Sequence, residues 1–357
     1  MRPTPLLLLV GVALAACAGA PAPSGPRGAA WPEADALFRR DPNWRGGDAA
    51  YSVDLGGART LWLFGDSFVA KPGSEGRRGC AMVRNSIAVQ EGADPTTATI
   101  TFHWRGTHAA PTSWFAEDGD VWHWPLAGLR VDGSVIVFCT RVRRAGTEGP
   151  FAFRAIGWTA FALRGVDGPV ADWRCDRLAT FASPFPVIVG TAVVAHGAHV
   201  FAYALAEPGN HAVYLLRWPR AAFAAGELMT PQWFDAGTWR PHTTLTRPPT
   251  PVLATGAPEF SVSLVERGFV MVQSLGFGHT DLALRTAPVP EGPWSEPRVV
   301  FRPPESALDG VFVYAGKAHP QLRGEDLVST YASNAWDFGR LVNDEALYFP
   351  RFVRLRR

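Results

Sequence analysis

The sequence predicts an all-β chain folded as a single five-bladed β-propeller. Three observations lead there. Strand-like runs of β-branched and aromatic residues, cut by glycine and proline, fill most of the chain beyond residue 30. Many of these runs fall into hairpins. A polar or small residue leading into a strand recurs at Asp48, His123, Thr191, Glu259 and His319, in steps of about 60 to 75 residues. Such steps suit blades with long connections, and five starts give five blades over residues 31–357. The units share little identity, so a pair of sandwiches is the alternative.

The first element in chain order lies outside the fold. Arg2, the apolar run Leu6–Ala16 and small residues before Cys17 make a signal peptide. The apolar run is too short to span a bilayer, which takes about 20 residues. "LAAC" (Leu14–Cys17) resembles a bacterial lipobox, so residues 1–17 are read as a lipoprotein signal with Cys17 lipidated; an ordinary secretory signal is the alternative. Ala18 rather than aspartate follows Cys17, which in a two-membrane host directs the protein to the outer membrane. Residues 18–30, "AGAPAPSGPRGAA", hold no large apolar residue and read as a flexible tether.

The strands follow. "TLWLFG" and "SVIVFCTRV" open the series, "VVAHGAHVFAY" turns at His196–Gly197, and "SLVERGFVMV" turns at Arg267–Gly268. Arg220–Leu228 is the best helical stretch, and it is short. "GPWSEPRVVF" fits a tight turn and an outer strand, and "ALYFPRFVRL" is a last strand placed to close the ring on the first unit. With 14 Trp and 22 Phe there is ample material for a core, and a net charge of +2 without a Lys/Arg block argues against nucleic acid. Cys80, Cys139 and Cys175 form no C-x-x-C pattern, so neither a zinc nor a redox site is expected; an export compartment permits one disulfide and leaves one thiol over. No cofactor or metal is expected. A monomer is, touching membrane only through the lipid anchor.

"GGDAAYSVDLGGARTLWLFGDSF" (Gly46–Phe68) carries Asp48 and Asp66 on either side of a turn. With the turn centred on Gly57, Asp54 faces Thr60, Ser52 faces Trp62 and Asp48 faces Asp66. Alternation puts Asp48, Ala50, Ser52, Trp62, Phe64 and Asp66 on one face. The two acids are then cross-strand neighbours with Cβ atoms about 5 Å apart, where like charges repel. Glycoside hydrolysis needs such a pair, one carboxyl to protonate the leaving oxygen and one to attack or to activate water. The plainer alternative has Asp48 capping a loop and Asp66 making an Asx turn.

"WRGGDAAYSV…LWLFGDSF…RNSIAV", with "AGKAHPQL…STYASN" and "YFPRFV", resembles a family of exported bacterial five-bladed β-propellers long filed as a domain of unknown function. Some members are glycoside hydrolases that cut D-arabinofuranose polymers. The resemblance runs from Trp31 to the C-terminus and implies that Asp48 and Asp66 are the catalytic pair. Asn85 is then placed to hydrogen-bond a sugar hydroxyl or simply to make a turn. Glu259 is a third acid, a pKa tuner, a hydroxyl ligand or structural. His319, beside Lys317, holds substrate, buttresses an acid or is a satisfied core histidine. Trp122 and Trp124 suit stacking on a sugar, or the core. The expected function is hydrolysis of a cell-wall or extracellular polysaccharide. The alternatives are a non-catalytic surface lipoprotein that binds glycan or protein and a structural lipoprotein of the cell surface.

Overall fold

The structure is a computed structural model that describes residues 28–146, 152–323 and 326–356. The signal peptide, Cys17 and residues 18–27 lie outside the described residues. Gly28–Ala30, at the end of the Ala/Pro/Gly stretch, form a strand.

Five antiparallel sheets of four or five strands follow one another along the described chain, and two smaller sheets join Trp44–Gly47 with Ser67–Val69 and Ala81–Val83, and Arg105–Gly106 with Pro111–Thr112. Sheet I runs Tyr51–Gly56, Arg59–Phe64, Ser86–Glu91, Thr99–His103. Sheet II runs Trp122–Val131, Ser134–Arg144, Phe153–Arg164, Arg174–Arg177. Sheet III has five strands, beginning Ile188–His196, His199–Leu205, Val213–Pro219. Sheet IV runs Phe260–Val265, Gly268–Leu275, Asp281–Ala287, Arg298–Phe301. Sheet V joins Val311–Ala318, Leu327–Ala335, Arg351–Leu355 and Gly28–Ala30. The first strand of each sheet packs on the first strand of the next, from I through to V. Second strands such as His199–Leu205 and Leu327–Ala335 are buried on both faces. That is why His199–Leu205 reads as a nearly unbroken apolar run instead of alternating, while Leu327–Ala335 buries Ser329, Thr330 and Ser333 among its apolar residues.

These inner strands leave a cavity at each end. One of about 1650 Å³ is lined by residues at their N-terminal ends, among them Asp48, Trp124, Thr191, Glu259 and Tyr314. Another of about 900 Å³ is lined at their C-terminal ends, among them Asp54, Arg130, Ala195 and His319.

The last strand does not pair with the first unit. Arg351–Leu355 lies between Leu327–Ala335 and Gly28–Ala30. Sheet I already has four strands of its own, whereas the chain after Ala307 supplies sheet V with three, so the missing edge is covered by residues ahead of the first unit. Asp35 fixes this closure, accepting from the Phe352 amide at 2.7 Å and from Arg351 Nη1 at 3.2 Å. Aromatic rings fill the wedge behind it: Phe38 stacks on Phe352 at 5.1 Å, and Trp44 on Phe102 at 4.3 Å.

Two smaller differences have local causes. The helix spans Arg220–Ala225, short of Leu228, because Gly226 takes a left-handed cap at φ 80°. Cys80, Cys139 and Cys175 are all free. Cys139 and Cys175 sit on the second and fourth strands of sheet II. Two strand spacings come to about 9.5 Å, beyond the reach of a disulfide.

Candidate active site

The site starts where the first hairpin stops being regular. Its ladder pairs Asp54 with Thr60, Ser52 with Trp62 and Tyr51 with Leu63. Beyond it, Gly47 pairs with Ser67 in the same register. Between them Ala49 and Ala50 adopt left-handed φ of 67° and 55°. The alternation expected of Asp48 and Ala50 is therefore broken, and Asp48 is carried out of the ladder. Its carbonyl accepts from the Ala50 amide at 2.9 Å and the Gly65 amide at 3.2 Å. Asp48 still lies across from Asp66, with Gly65 packed beneath it; a Cβ on Gly65 would overlap Asp48 Oδ1. On the other strand Ser67 Oγ donates to Gly65 O at 2.9 Å and meets Ser86 Oγ at 2.8 Å, which fixes the backbone around Asp66.

The two carboxyls have different partners. Tyr314 donates its hydroxyl to Asp48 Oδ2 at 2.7 Å, and the buried Tyr348 hydroxyl lies near enough to Asp48 for burial and then that carboxyl's charge to raise its pKa. Asp66 accepts from Trp124 Nε1 at 2.9 Å and from Arg84 Nη1 at 3.2 Å. The Arg84 guanidinium carbon lies over Trp122, 4.6 Å from the ring centre. Burial and then the charge of Asp66 push the Asp48 pKa up to about 8, with Glu259 adding to the rise and Tyr314 and Lys317 opposing it. Burial raises Asp66 too, against the pull of Arg84 and Trp124. Near neutral pH Asp48 thus keeps its proton, while Asp66 is surrounded by donors that suit a carboxylate. Both line the larger cavity.

A family model described as "Domain of unknown function (DUF5005)" matches residues 33–357. The chain belongs to this family. No curated protein matches it. A structure from Bacteroides ovatus ATCC 8483, described as that of a candidate hydrolase, is similar at a TM-score of 0.70 and 19% identity, covering 92% of this chain and 89% of that one. The DUF5005 chain shares that protein's fold. An endo-arabinase from Bacteroides thetaiotaomicron VPI-5482 overlaps at a TM-score of 0.49 and 11% identity, over 87% and 94% of the two chains. The α-L-arabinofuranosidase PaAbf62A from Podospora anserina, in complex with cellotriose, does so at 0.48 and 10%, over 93% and 95%. These two overlaps are too loose to transfer anything.

In this DUF5005 chain the larger cavity gathers Asp48, Asp66, Trp124 and Glu259. Glu259 stands immediately before the inner strand of sheet IV and accepts from Lys317 Nζ at 2.6 Å. Lys317 is 1% exposed, and its ammonium also lies 4.3 Å from the Tyr51 ring centre. Burial lowers the Lys317 pKa against the pull of Glu259. Lys317 therefore anchors Glu259 from within the wall, and Glu259 acts on Asp48 through its charge.

His319 and Asn85 do not join them. His319 follows the inner strand of sheet V instead of opening it, because that strand begins at Val311. It lines the smaller cavity at the opposite end. Fully buried, it bonds Ser52 Oγ through Nδ1 at 2.7 Å and Thr330 Oγ1 through Nε2 at 2.8 Å, and burial lowers its pKa to about 3. Asn85 is buried as well and spends its amide on the backbone. Nδ2 donates to Phe115 O and His123 O at 3.1 and 2.8 Å, and Oδ1 accepts from the Phe115 amide at 2.7 Å. It joins sheet I to sheet II and has nothing left for a sugar. His123 is buried too, with Nδ1 at 2.9 Å from Ala116 O. Arg84, Tyr314 and Tyr348 escaped the sequence reading. Arg84 sits beside Asn85 in "RNSI", and both tyrosines lie within strand-like stretches, "VFVYAGKA" and "ALYFPRF".

Proposed function

We propose that the protein is a glycoside hydrolase in which Asp48 donates the proton and Asp66 is the base or nucleophile. The observation that carries this is the asymmetry of two facing carboxyls, one protonated near neutral pH and the other ringed by an indole and a guanidinium. Asp48 protonates the glycosidic oxygen as the bond to the anomeric carbon breaks. Asp66 either attacks that carbon or takes a proton from the water that does, the choice following from the distance between carboxyls across a bound sugar. Glu259, with Lys317 behind it, keeps negative charge near Asp48 and so keeps its proton in place. Trp124 orients Asp66 and offers its ring to the sugar.

The substrate class we put first is a D-arabinofuranan or a related envelope polysaccharide, from the resemblance of "GGDAAYSV…LWLFGDSF" to D-arabinan-cutting propellers. A cavity of about 1650 Å³ exceeds the 300–1,000 Å³ usual for one small ligand and suits several sugar units. The five sheets are read as the blades of one propeller, exported, lipid-anchored at Cys17 and monomeric. The ion pair between Arg84 and Asp66 favours a second reading, a surface protein that binds glycan without cutting it. A glycan-degradation screen that includes D-arabinan, with Asp66→Asn as control, decides between them. Cleavage by the native protein that falls about 100-fold or more in the variant supports hydrolysis. Glycan binding without cleavage supports the second reading.

A further inference from the structure

Arg77 takes no part in the chemistry just described, yet it is among the largest side chains fully buried, at 2% exposure. Burial lowers its pKa to about 10, so it is still charged at neutral pH. A buried charge is costly unless it is met by partners. Here the partners are main-chain carbonyls. Nε donates to Arg45 O at 2.7 Å, Nη1 to Leu341 O at 2.7 Å and Asp344 O at 3.0 Å, and Nη2 to Leu347 O.

Those carbonyls belong to two segments that both end at the acid site. Arg45 lies three residues before Asp48, and Leu347 immediately precedes Tyr348. Gly46, at φ 120°, lets the segments touch; a Cβ there would come within 2.5 Å of Tyr348 O and 2.9 Å of Arg77 Nη2. Tyr348 has a left-handed φ of 62°, a conformation that disfavours any side chain, and its buried hydroxyl faces the Asp48 carboxyl in the wall of the larger cavity. One planar fork spans both backbones, which a single-point ammonium cannot do.

We propose that Arg77 is a positioning residue, clamping the Arg45–Asp48 and Leu341–Tyr348 segments together so that the Tyr348 hydroxyl meets the Asp48 carboxyl. The role in turnover rests on the glycosidase reading; the clamp does not.

Arg77→Met, Tyr348→Phe and the double variant test it. On the glycan that the native protein cleaves, each single change lowers kcat about 10- to 100-fold with KM near its native value, and the double is no worse than the more damaging single. Independent, multiplying losses overturn the proposal, as does a raised KM with kcat retained. A second readout needs no substrate: carboxyl 13C NMR following the titration of Asp48. Arg77→Met and Tyr348→Phe both move its midpoint upward, because the carboxylate loses a hydroxyl donor. Asp66, Glu259, Lys317 and Tyr314, which also face Asp48, are unaltered in both. A native midpoint in Arg77→Met overturns the clamp. If the native protein cleaves no glycan, the glycosidase reading fails and the NMR result alone decides. If Arg77→Met does not fold, Arg77→Lys replaces it, and native behaviour from that variant overturns the clamp.

Discussion

The two ends of the inner strands bury titratable groups in opposite ways. At the N-terminal end, Asp48 and Asp66 repel one another beside a cavity of about 1650 Å³. At the C-terminal end His319 has both ring nitrogens bonded, to Ser52 and Thr330, and packs 4.7 Å from the Trp62 ring. Burial shifts both groups far, Asp48 up to about 8 and His319 down to about 3. A large shift therefore does not mark function by itself. Each group also feels a like charge, Asp66 at one end and Lys317 at the other. The difference lies in what each group has to spare: Asp48 keeps its proton opposite a second carboxyl in the larger cavity, whereas both ring nitrogens of His319 are spent on the Ser52 and Thr330 hydroxyls.

The largest effect expected at the acid end, short of removing an acid, comes from a methyl group. Gly65→Ala places a Cβ against Asp48 Oδ1 and displaces the proton donor. Turnover should fall on the order of 100-fold while circular dichroism stays native. Native turnover in that variant would break the contrast, since Asp48 would then not need its position.

A second effect is in pH. Turnover should decline above about pH 8 as Asp48 loses its proton. Stability carries the same signature. The unfolded carboxyl titrates near 3.9 and the folded one near 8, so between those values the folded state holds a proton that the unfolded state has lost. The contribution of Asp48 to stability is therefore greatest below about pH 4 and declines until about pH 8. Asp48→Asn should flatten this slope when Tm is followed from pH 4 to 9, with Tm near neutral pH unchanged or higher. An unchanged slope would place the folded value close to the ordinary one.

The smallest effect on turnover should come from the other end. His319→Gln breaks the chain between Ser52 and Thr330 and should lower stability by about 1–3 kcal/mol, while kcat stays near its native value. Lost turnover at native Tm would sharpen the comparison in the other direction, making the far cavity part of the machinery.

The legible parts were local. The turn at Gly57 and the alternation around it give the register of Asp54 with Thr60 and Ser52 with Trp62 that the structure has, because a hairpin is specified by its own residues. The break at Ala49 and Ala50 was not legible, since alanine gives no sign of a left-handed φ. Tyr314 and Tyr348 reach Asp48 from more than 260 positions away, and nothing in their own neighbourhoods marks them. Asn85 and His319 were legible as polar residues in strand-rich stretches. Which partners consumed them depended on neighbouring sheets, which no local pattern reports.

Sheet V takes its outermost strand, Gly28–Ala30, from the start of the described chain and the strand beside it, Arg351–Leu355, from the end. Asp48 and Asp66 follow the first of these within about 40 residues, and Tyr314 and Tyr348 precede the second within about 40. A ribosome has therefore made both acids long before it makes either tyrosine that faces Asp48. A chain caught mid-synthesis, or clipped ahead of residue 314, holds both aspartates without the phenols that meet Asp48. Completion of the polypeptide is in that sense the first checkpoint on its chemistry.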